Sequence, residues 1–258
     1  MSPLIFAHRG ASAELPEHTL DAYLRAIEQG ADGLECDVRL TRDGHLVCIH
    51  DSRLGRTSNG RGRVSGATLD ELERLDFSSW HTQAGPGAPE TVPTGVLTLD
   101  RLLSTVRAAG RPLRLLIETK HPSRYGSQVE ERLVALLRKH ELGDALSTAD
   151  VAVTVMSFSP LALRRLRTLA PGLPTVFLYE LAPPAIRDGR PPFGAKILGP
   201  GLNVVKARPE LVGRVHERGH QVYVWTVNEP DEIDLMLELG VDGIISDRPG
   251  EVMSRLGR

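Results

Sequence analysis

The sequence predicts an α/β fold, a closed (β/α)8 TIM barrel with an insertion after the second strand, and three observations predict it. Eight apolar, strand-like runs alternate with helical patterns, as in a series of parallel βαβ units. The chain has 258 residues, close to the ~250 typical of this barrel. Polar residues interrupt the strand patterns at their carboxyl ends, where such barrels carry their chemistry. A doubly wound parallel sheet is the competing fold, but the number of strands favours the barrel.

The first elements follow from their hydrophobic periods. Leu4 to Ala7 is an apolar strand, and a helical stripe of apolar residues from Leu20 to Ile27 ends at Gly30. Gly33 to Val38 alternates apolar residues with Glu35 and Asp37, so the second strand carries two carboxylates on one face. A face with two carboxylates is not ordinary core, and we interpret it as part of a site.

A hairpin and an irregular segment come next. Asp43 and Gly44 form a two-residue turn signal, and Leu46 to His50 returns as an apolar strand. Residues 52–97 are rich in Gly, Pro, Ser and Thr, with one short helix expected around Leu69, Leu72 and Leu75. Because plain connections longer than ~12–15 residues are uncommon, we predict an insertion folded against the site.

A regular alternation fills the rest of the chain. The predicted helices are Leu99–Ala108, Val129–His140, Leu161–Leu169, Pro209–Arg218 and Asp231–Leu239, and the predicted strands are Leu113–Glu118, Val151–Ser157, Thr175–Tyr179, Leu202–Val205, Gln221–Trp225 and Gly243–Ser246. We expect one domain over residues 1–258.

Composition excludes several classes of protein. Hydrophobic residues make up 41% and charged residues 25%, which predicts a folded chain with a sizeable core. A formal net charge of −2 gives no field that favours nucleic acid or anionic lipid. The two cysteines fit a reducing compartment, and neither a membrane span nor a secretory signal is found, so we expect a cytoplasmic protein without stable membrane insertion. No nucleotide-binding glycine motif occurs.

The polar residues at the strand ends predict a metal-assisted site. Glu35, Asp37 and Glu118 converge in a barrel and repel one another unless a cation neutralises them, and an all-oxygen set favours Mg²⁺ or Ca²⁺. The alternative is a buried ionic network in which the carboxylates pair with basic neighbours, namely Arg9, Arg39 and Lys120.

Five more residues complete the candidate site. His8 and His50 suit general acid and base roles because imidazole titrates near neutral pH. Arg9 and Lys120 supply positive charge for an anionic substrate, and we expect that substrate to carry a phosphate. Trp225 is a candidate substrate contact, although it also suits the core. The histidines in turns or helices are interpreted as ordinary side chains: His45, His81, His140, His216 and His220.

These residues carry a resemblance to the glycerophosphodiester phosphodiesterase family. The agreement spans nearly the whole chain, from Phe6 to Arg248. The motifs that carry it are His8-Arg9-Gly10, Pro16-Glu17-x-Thr19, Gly30-Ala31-Asp32-x-x-Glu35-x-Asp37-Val38, Thr41-x-Asp43-Gly44, His50-Asp51, Glu118-x-Lys120, Val224-Trp225-Thr226-Val227-Asn228 and Gly240-Val241-Asp242-Gly243-Ile244-Ile245-Ser246-Asp247-Arg248-Pro249. Motifs joined in this order are far more specific than any single tripeptide.

The resemblance implies hydrolysis of a glycerophosphodiester to sn-glycerol 3-phosphate and an alcohol. It implies that His8 and His50 are the acid–base pair, without saying which is which, and that the three carboxylates hold the metal. Arg9 matches the family's phosphate-binding arginine, and Lys120 its lysine. His18 departs from the family's common asparagine, which we expect to alter the contacts of Glu17 but not the main site.

Two rival functions remain at this point. A lyase or phospholipase D-like relative acting on membrane lipid would be expected to expose an apolar or basic segment near the mouth, whereas the insertion offers only Phe77 and Trp80. A catalytically silent phosphodiester-binding module has no need of two histidines beside three carboxylates. The expected partner is a small-molecule diester, and the sequence leaves the oligomeric state, the alcohol and the attacking group open.

Overall fold

The computed structural model describes residues 2–81, 94–142, 151–181, 186 and 188–258. Nine strands form one sheet in the order β1-β9-β8-β7-β6-β5-β4-β2-β3, and β1 also pairs with β2. All of these pairings are parallel except that of β2 with β3. Eight parallel strands therefore close into a barrel, which confirms the predicted fold class.

The strands and helices alternate along most of the chain. The strands are β1 Leu4–His8, β2 Gly33–Leu40, β3 Leu46–Cys48, β4 Leu113–Thr119, β5 Val151–Ser157, β6 Thr175–Tyr179, β7 Ile197–Pro200, β8 Gln221–Val224 and β9 Gly243–Ser246. The helices are α1 Leu20–Glu28, α2 Leu69–Glu73, α3 Leu99–Arg107, α4 Gln128–Lys139, α5 Pro160–Leu169, α6 Leu202–Ala207, α7 Glu210–Glu217, α8 Pro230–Leu239 and α9 Pro249–Arg255.

One predicted strand is wrong. Leu202–Val205 belongs to helix α6, and the barrel strand at this point is Ile197–Pro200. A run of four apolar residues does not distinguish a strand from a turn of buried helix. The real strand contains Gly199 and Pro200, residue types that are depleted in strands, so its pattern was weak.

Strand alternation sorts the core into two parts. One face of the strands fills the barrel with a cluster that includes Phe6, Leu116, Met156 and Ile245. The opposite face packs under the helices in a larger cluster, to which Leu34, Cys36 and Val38 of β2 belong. Residues 35 and 37 therefore point into the barrel, because successive side chains of a strand alternate between its faces.

The predicted turn and insertion lie beside this barrel. β3 returns antiparallel to β2 through the turn at Gly44, whose φ is +88°. The described part of the insertion holds helix α2 and packs a small cluster on β3, which includes Val47, Leu72 and Phe77. Residues 82–93 of the predicted insertion lie outside the described residues. No helix in the described ranges is long and apolar enough to cross a membrane.

Candidate active site

Four side chains reach the carboxyl end of the barrel from three neighbouring strands. His8 is level with Glu35, and Asp37 is level with Glu118, in the parallel registers of β1 with β2 and of β2 with β4. All four share the inward face with Phe6 and Leu116, by strand alternation. The sheet register thus brings together residues that are far apart in the sequence.

The three carboxylates form a compact buried group. Glu35, Asp37 and Glu118 are buried, and one oxygen from each lies within 4.8 Å of the others. Three oxygen donors at this spacing suit a hard divalent cation such as Mg²⁺ or Ca²⁺. The donor set therefore fits the ion that the sequence predicts.

Two basic side chains enter the same group. The Lys120 ammonium lies 2.9 Å from Asp37 Oδ1 and 2.8 Å from Glu118 Oε1. Arg9 Nε lies 3.0 Å from Asp37 Oδ2, although its N–H has no hydrogen-bond partner. The ion pairs expected for a purely structural network are thus formed by Arg9 and Lys120. Arg39 does not join them and donates instead to the His50 carbonyl.

These cations do not balance the three carboxylates. Burial and the neighbouring Asp37 charge raise the pKa of Glu118 to about 8, and the same two causes hold the pKa of Glu35 well above its ordinary value. Burial also opposes ionisation of Asp37, but Lys120, His18 and Arg9 outweigh it and hold the pKa of Asp37 well below its usual range. The raised pKa values of Glu35 and Glu118 show that Arg9 and Lys120 supply too little positive charge for three buried carboxylates.

His8 is held by an aspartate that the sequence argument did not assign to the site. Asp247, directly after β9, contacts His8 Nδ1 through Oδ1 at 2.6 Å. Ser12 Oγ donates to the same oxygen, and Asn228 Nδ2 donates to Oδ2 at 2.7 Å. Burial opposes ionisation of Asp247, but the hydrogen bond with His8 outweighs it and lowers the pKa of Asp247 to about 2.

His50 has a matching partner. Its Nδ1 lies 2.7 Å from Asp51 Oδ1, and Arg56 Nε donates to Asp51 Oδ2 at 2.6 Å. Arg56 also donates two hydrogen bonds to Glu17, which accepts a third from Arg9. These hydrogen bonds between charged groups connect Arg56 of the insertion with Arg9 of the site.

The two histidines differ in electrostatic surroundings. Burial lowers the pKa of His50 to about 4, and the nearby positive charges of Lys120 and Arg9 act in the same direction. His50 is therefore neutral near pH 7 and can accept a proton. His8 contacts an ionised carboxylate at Nδ1, since the pKa of Asp247 is about 2.

A cavity of about 110 Å³ connects these groups. Both histidines, two of the carboxylates and both cations line it, so the structure brings together seven of the eight predicted site residues directly at this cavity: His8, Arg9, Glu35, His50, Glu118, Lys120 and Trp225. The eighth, Asp37, contacts Arg9 and Lys120 from beneath. Trp225 packs edge-on against Phe158 with ring centroids 5.4 Å apart and donates from its indole to the Gly199 carbonyl.

The expectation for His18 needs a correction. The His18 ring contacts Asp37 Oδ2 through Nε2 at 3.0 Å and the Tyr23 hydroxyl through Nδ1 at 2.8 Å. The departure from asparagine therefore falls on a candidate metal ligand and not on the contacts of Glu17 alone. Spacing along the sequence could not reveal this contact between residues 19 positions apart, and the His18 backbone has a positive φ of 61°.

Several functional neighbours lacked a sequence signal of their own. Asp247, Asn228, Asp51 and Glu17 stand inside the motifs that carry the family resemblance, but nothing in their spacing assigned them a role. Arg56 lies in the polar insertion, where no period distinguishes it. The other histidines pair away from the cavity, such as His140 with Asp100 and His216 with Asp242.

Fold and site together define a (β/α)8-barrel enzyme with a buried acidic group and two histidine–aspartate pairs at its carboxyl end. A family model described as the glycerophosphoryl diester phosphodiesterase family matches residues 8–251. The chain belongs to this family.

Relatives and solved structures agree with that assignment. A probable glycerophosphodiester phosphodiesterase 1 of Mycobacterium tuberculosis is 46% identical over 254 residues, which cover 98% of this chain and 92% of the relative. A glycerophosphodiester phosphodiesterase of Bacillus subtilis is 35% identical, over 95% of this chain and 84% of its own. The structure of an Oleispira antarctica phosphodiesterase in complex with the product sn-glycerol-3-phosphate has a TM-score of 0.83 and 25% identity, with 99% and 97% of the two chains covered.

Proposed function

We propose that this chain hydrolyses glycerophosphodiesters to sn-glycerol 3-phosphate and an alcohol with the help of a divalent metal ion. The observation that carries the proposal is one cavity lined by both histidines and by Glu35 and Glu118 of the acidic group, with each histidine held by an aspartate, in a chain of this family. The product bound by the Oleispira antarctica relative supports the same reaction.

Glu35, Asp37 and Glu118 are the residues that would hold the ion. Their oxygens lie at a spacing that suits one cation, and the raised pKa values of Glu35 and Glu118 are what an incompletely neutralised carboxylate group produces. A bound Mg²⁺ or Ca²⁺ supplies positive charge that polarises the phosphodiester.

The two histidines divide the proton transfers. His50, neutral near pH 7, takes the proton from the attacking oxygen as its bond to phosphorus forms. The bond from phosphorus to the leaving alcohol then breaks, and His8 gives its proton to the departing oxygen. Asp51 and Asp247 hold the two rings at Nδ1, which leaves each Nε2 for the substrate. His50 is assigned as the base because its pKa is lowered, and His8 takes the remaining role of the acid.

The basic residues and the aromatic wall complete the site. Arg9 and Lys120 line the cavity and offset the negative charge that builds on the phosphate oxygens in the transition state. Trp225, with Phe158, gives the cavity an apolar wall against which the carbon chain of glycerol packs.

The coupled assay for released glycerol 3-phosphate tests this function directly. Purified enzyme with a panel of glycerophosphodiesters should release it, EDTA should abolish turnover, and added Mg²⁺ or Ca²⁺ should restore it. Glu35→Gln should lose both the activity and its rescue by metal, whereas Asp100→Asn, an exposed carboxylate on α3, should keep both. Full activity of metal-free enzyme would contradict the metal dependence, and no release from any diester would overturn the function.

The attacking oxygen is either water or the 2-hydroxyl of the substrate's own glycerol. A 2-deoxy diester separates the two, because loss of an attacking group lowers kcat strongly. A 1,2-cyclic phosphate that the enzyme then opens would support internal attack. Direct entry of ¹⁸O from water without a cyclic species would support hydrolysis in one step.

The rival functions fit the site less well. Phe77 is buried, and the Trp80 indole donates to the Phe77 carbonyl, so these two aromatic residues of the insertion offer little exposed apolar surface for a membrane lipid. A binding module without catalytic activity has no need of two imidazoles that are each held by an aspartate. Cys36 and Cys48 are both free and buried, and on this basis we keep a cytoplasmic location as part of the proposal.

A further inference from the structure

A second cavity lies next to the active site and shares Lys120 with it. It has a volume of about 280 Å³ and lies between the end of β2, the insertion and the loop that follows β4. Its lining contains four cations and three serines, and none of the described residues that line it is acidic. The four cations are Arg39, Arg63, Lys120 and Arg124.

Hydrogen bonds between separate elements fix the walls of this cavity. The Tyr125 hydroxyl donates to the Ser65 carbonyl at 2.6 Å and joins the loop after β4 to the insertion. Within the insertion, Val64 N donates to the Ser52 carbonyl. His121, next to Lys120, contacts the fully buried Glu130 of α4 at 2.6 Å. The cavity is thus a built part of the fold.

The guanidinium groups of this cavity lack negative partners. Arg39 uses Nε and Nη2 to donate to the His50 carbonyl, and no described carboxylate lies within 4.0 Å of it. Arg63 and Arg124 likewise form no ion pair with any described residue, and the Arg124 guanidinium packs 5.5 Å from the centroid of the Tyr125 ring. Lys120, by contrast, forms ion pairs with Asp37 and Glu118.

We propose that this cavity is a subsite for a second phosphate, carried by the leaving alcohol of the diester. The inference rests on the proposed function, because the scissile phosphate must lie at the active-site cavity on one side of Lys120. An alcohol that continues past Lys120 enters the second cavity, where the guanidiniums of Arg63 and Arg124, the remaining donors of Arg39 and serine hydroxyls match the oxygens of a phosphate. A neutral or cationic alcohol leaves these donors unmatched.

A cationic alcohol has a different place to bind. Trp225, Phe158 and Glu180 line the active-site cavity, and an aromatic wall beside a carboxylate suits a quaternary ammonium. The cationic cavity favours the phosphate because three unpaired guanidiniums outweigh one carboxylate. A preference for choline is therefore a distinct outcome of the test.

The test compares three substrates that differ in the charge of the alcohol: glycerophosphocholine, glycerophosphoglycerol and glycerophosphoglycerol phosphate. The last two differ by one phosphate, so their ratio of kcat/KM isolates the subsite. We expect the phosphorylated diester to be favoured about 10-fold to 100-fold, the range of one or two charge-assisted hydrogen bonds. Raising the ionic strength should reduce this ratio.

Variants in the insertion and in the loop after β4 test whether the preference for the phosphorylated diester comes from this cavity. Arg63→Gln combined with Arg124→Gln should remove most of the preference for the phosphorylated diester while kcat/KM for glycerophosphoglycerol stays unchanged. Arg61→Gln is the matched control, since Arg61 is an exposed arginine of the same insertion outside the cavity lining. It should keep the preference.

Failure of the subsite is distinguishable from failure of the function. Release of glycerol 3-phosphate from glycerophosphoglycerol with no gain from the added phosphate would overturn the subsite and leave the function standing. A choline preference that the double variant does not change would place the alcohol against Trp225 instead. If Arg61→Gln lost as much of the preference for the phosphorylated diester as the double variant, the preference would come from general surface charge. That result would also overturn the subsite.

Discussion

At the scale of single residues, the site depends on how each imidazole is held. His8 and His50 are both contacted at Nδ1 by an aspartate, and burial together with the nearby positive charges of Lys120 and Arg9 lowers the pKa of His50. The lowered pKa of His50 therefore comes from its surroundings and not from its residue type.

Removal of either imidazole should stop proton transfer. His8→Ala and His50→Ala should each lower kcat roughly 10²–10⁴-fold, the usual contribution of a general acid or base. Steady-state kinetics and thermal melting measure the two effects separately. His81→Ala, which removes a histidine packed on Trp80, should cost little. Either variant with wild-type kcat and unchanged melting would contradict its role.

The lowered pKa of His50 predicts the acid side of the pH profile. The base must be unprotonated, so kcat/KM should fall as the pH drops through about 4 and not near 6.5, the ordinary range of histidine. A pH–rate profile from pH 3.5 to 8 with metal in excess measures this limb. An acid limb near 6.5 that His50→Gln removes would show that burial does not depress this pKa in the working enzyme.

Asp247 should act through His8 alone. Asp247→Asn keeps the shape but loses the carboxylate charge that orients the His8 ring, so kcat should fall between about 10-fold and 10⁴-fold with KM little changed. Asp100→Asn is the control, because Asp100 contacts His140 at 2.8 Å in the same way far from the cavity. Wild-type kcat in Asp247→Asn, or a similar loss in the control, would refute this positioning role.

At the scale of elements, the turn after β1 fixes Arg9 against the site. Arg9 and Gly10 both have positive φ, +60° and +90°, and Gly10 packs on the backbone of α1 so closely that a Cβ would lie 2.6 Å from Ala22 C. Only glycine fits this approach. The close packing of α1 on this turn is what aims the guanidinium at Glu17 and Asp37.

Gly10→Ala should therefore cost both stability and activity. The strained φ and the overlap with α1 together should lower the free energy of unfolding by about 2–5 kcal/mol. Gly240→Ala is the control, because its φ of +68° is strained but its Cβ would meet nothing within 4 Å. It should lose about 1–2 kcal/mol and keep its kcat. Urea denaturation measures both, and equal losses would show that the contact with α1 is unimportant.

At the scale of the whole molecule, the barrel brings residues from both ends of the chain to one place. His8 near the start and Asp247 near the end meet because β9 pairs with β1 and closes the barrel. The acidic group spans β2 and β4, so an ion bound there would stabilise the closed barrel as a unit and not one loop.

Metal should therefore raise the melting temperature. A ligand at 100 times its Kd stabilises the folded state by about 2.7 kcal/mol, which corresponds to roughly 5–10 °C for a chain of this size. Thermal melting with Mg²⁺, with Ca²⁺ and with EDTA measures the shift. Glu35→Gln should reduce the shift and Asp100→Asn should not. Identical melting of the wild type in metal and in EDTA would speak against the ion site.

The sequence by itself determined the barrel and most of the site. These features are local properties that can be read from one sequence. They are the hydrophobic period of each element, the two-residue turn at Gly44 and the alternation that turns Glu35 and Asp37 inward. One domain over residues 1–258 stays a prediction. The strand Leu202–Val205 was wrong because a short apolar run has no period of its own.

Only the tertiary structure decided the contacts between distant segments. The pairing of His8 with Asp247, the reach of His18 to Asp37 and the cationic cavity beside Lys120 depend on strand register and barrel closure. The same is true of the lowered pKa of His50, because a pKa shift is produced by burial and neighbouring charge. Spacing along the sequence does not reveal the contacts between distant segments or the pKa shift, because both arise only when the sheet closes.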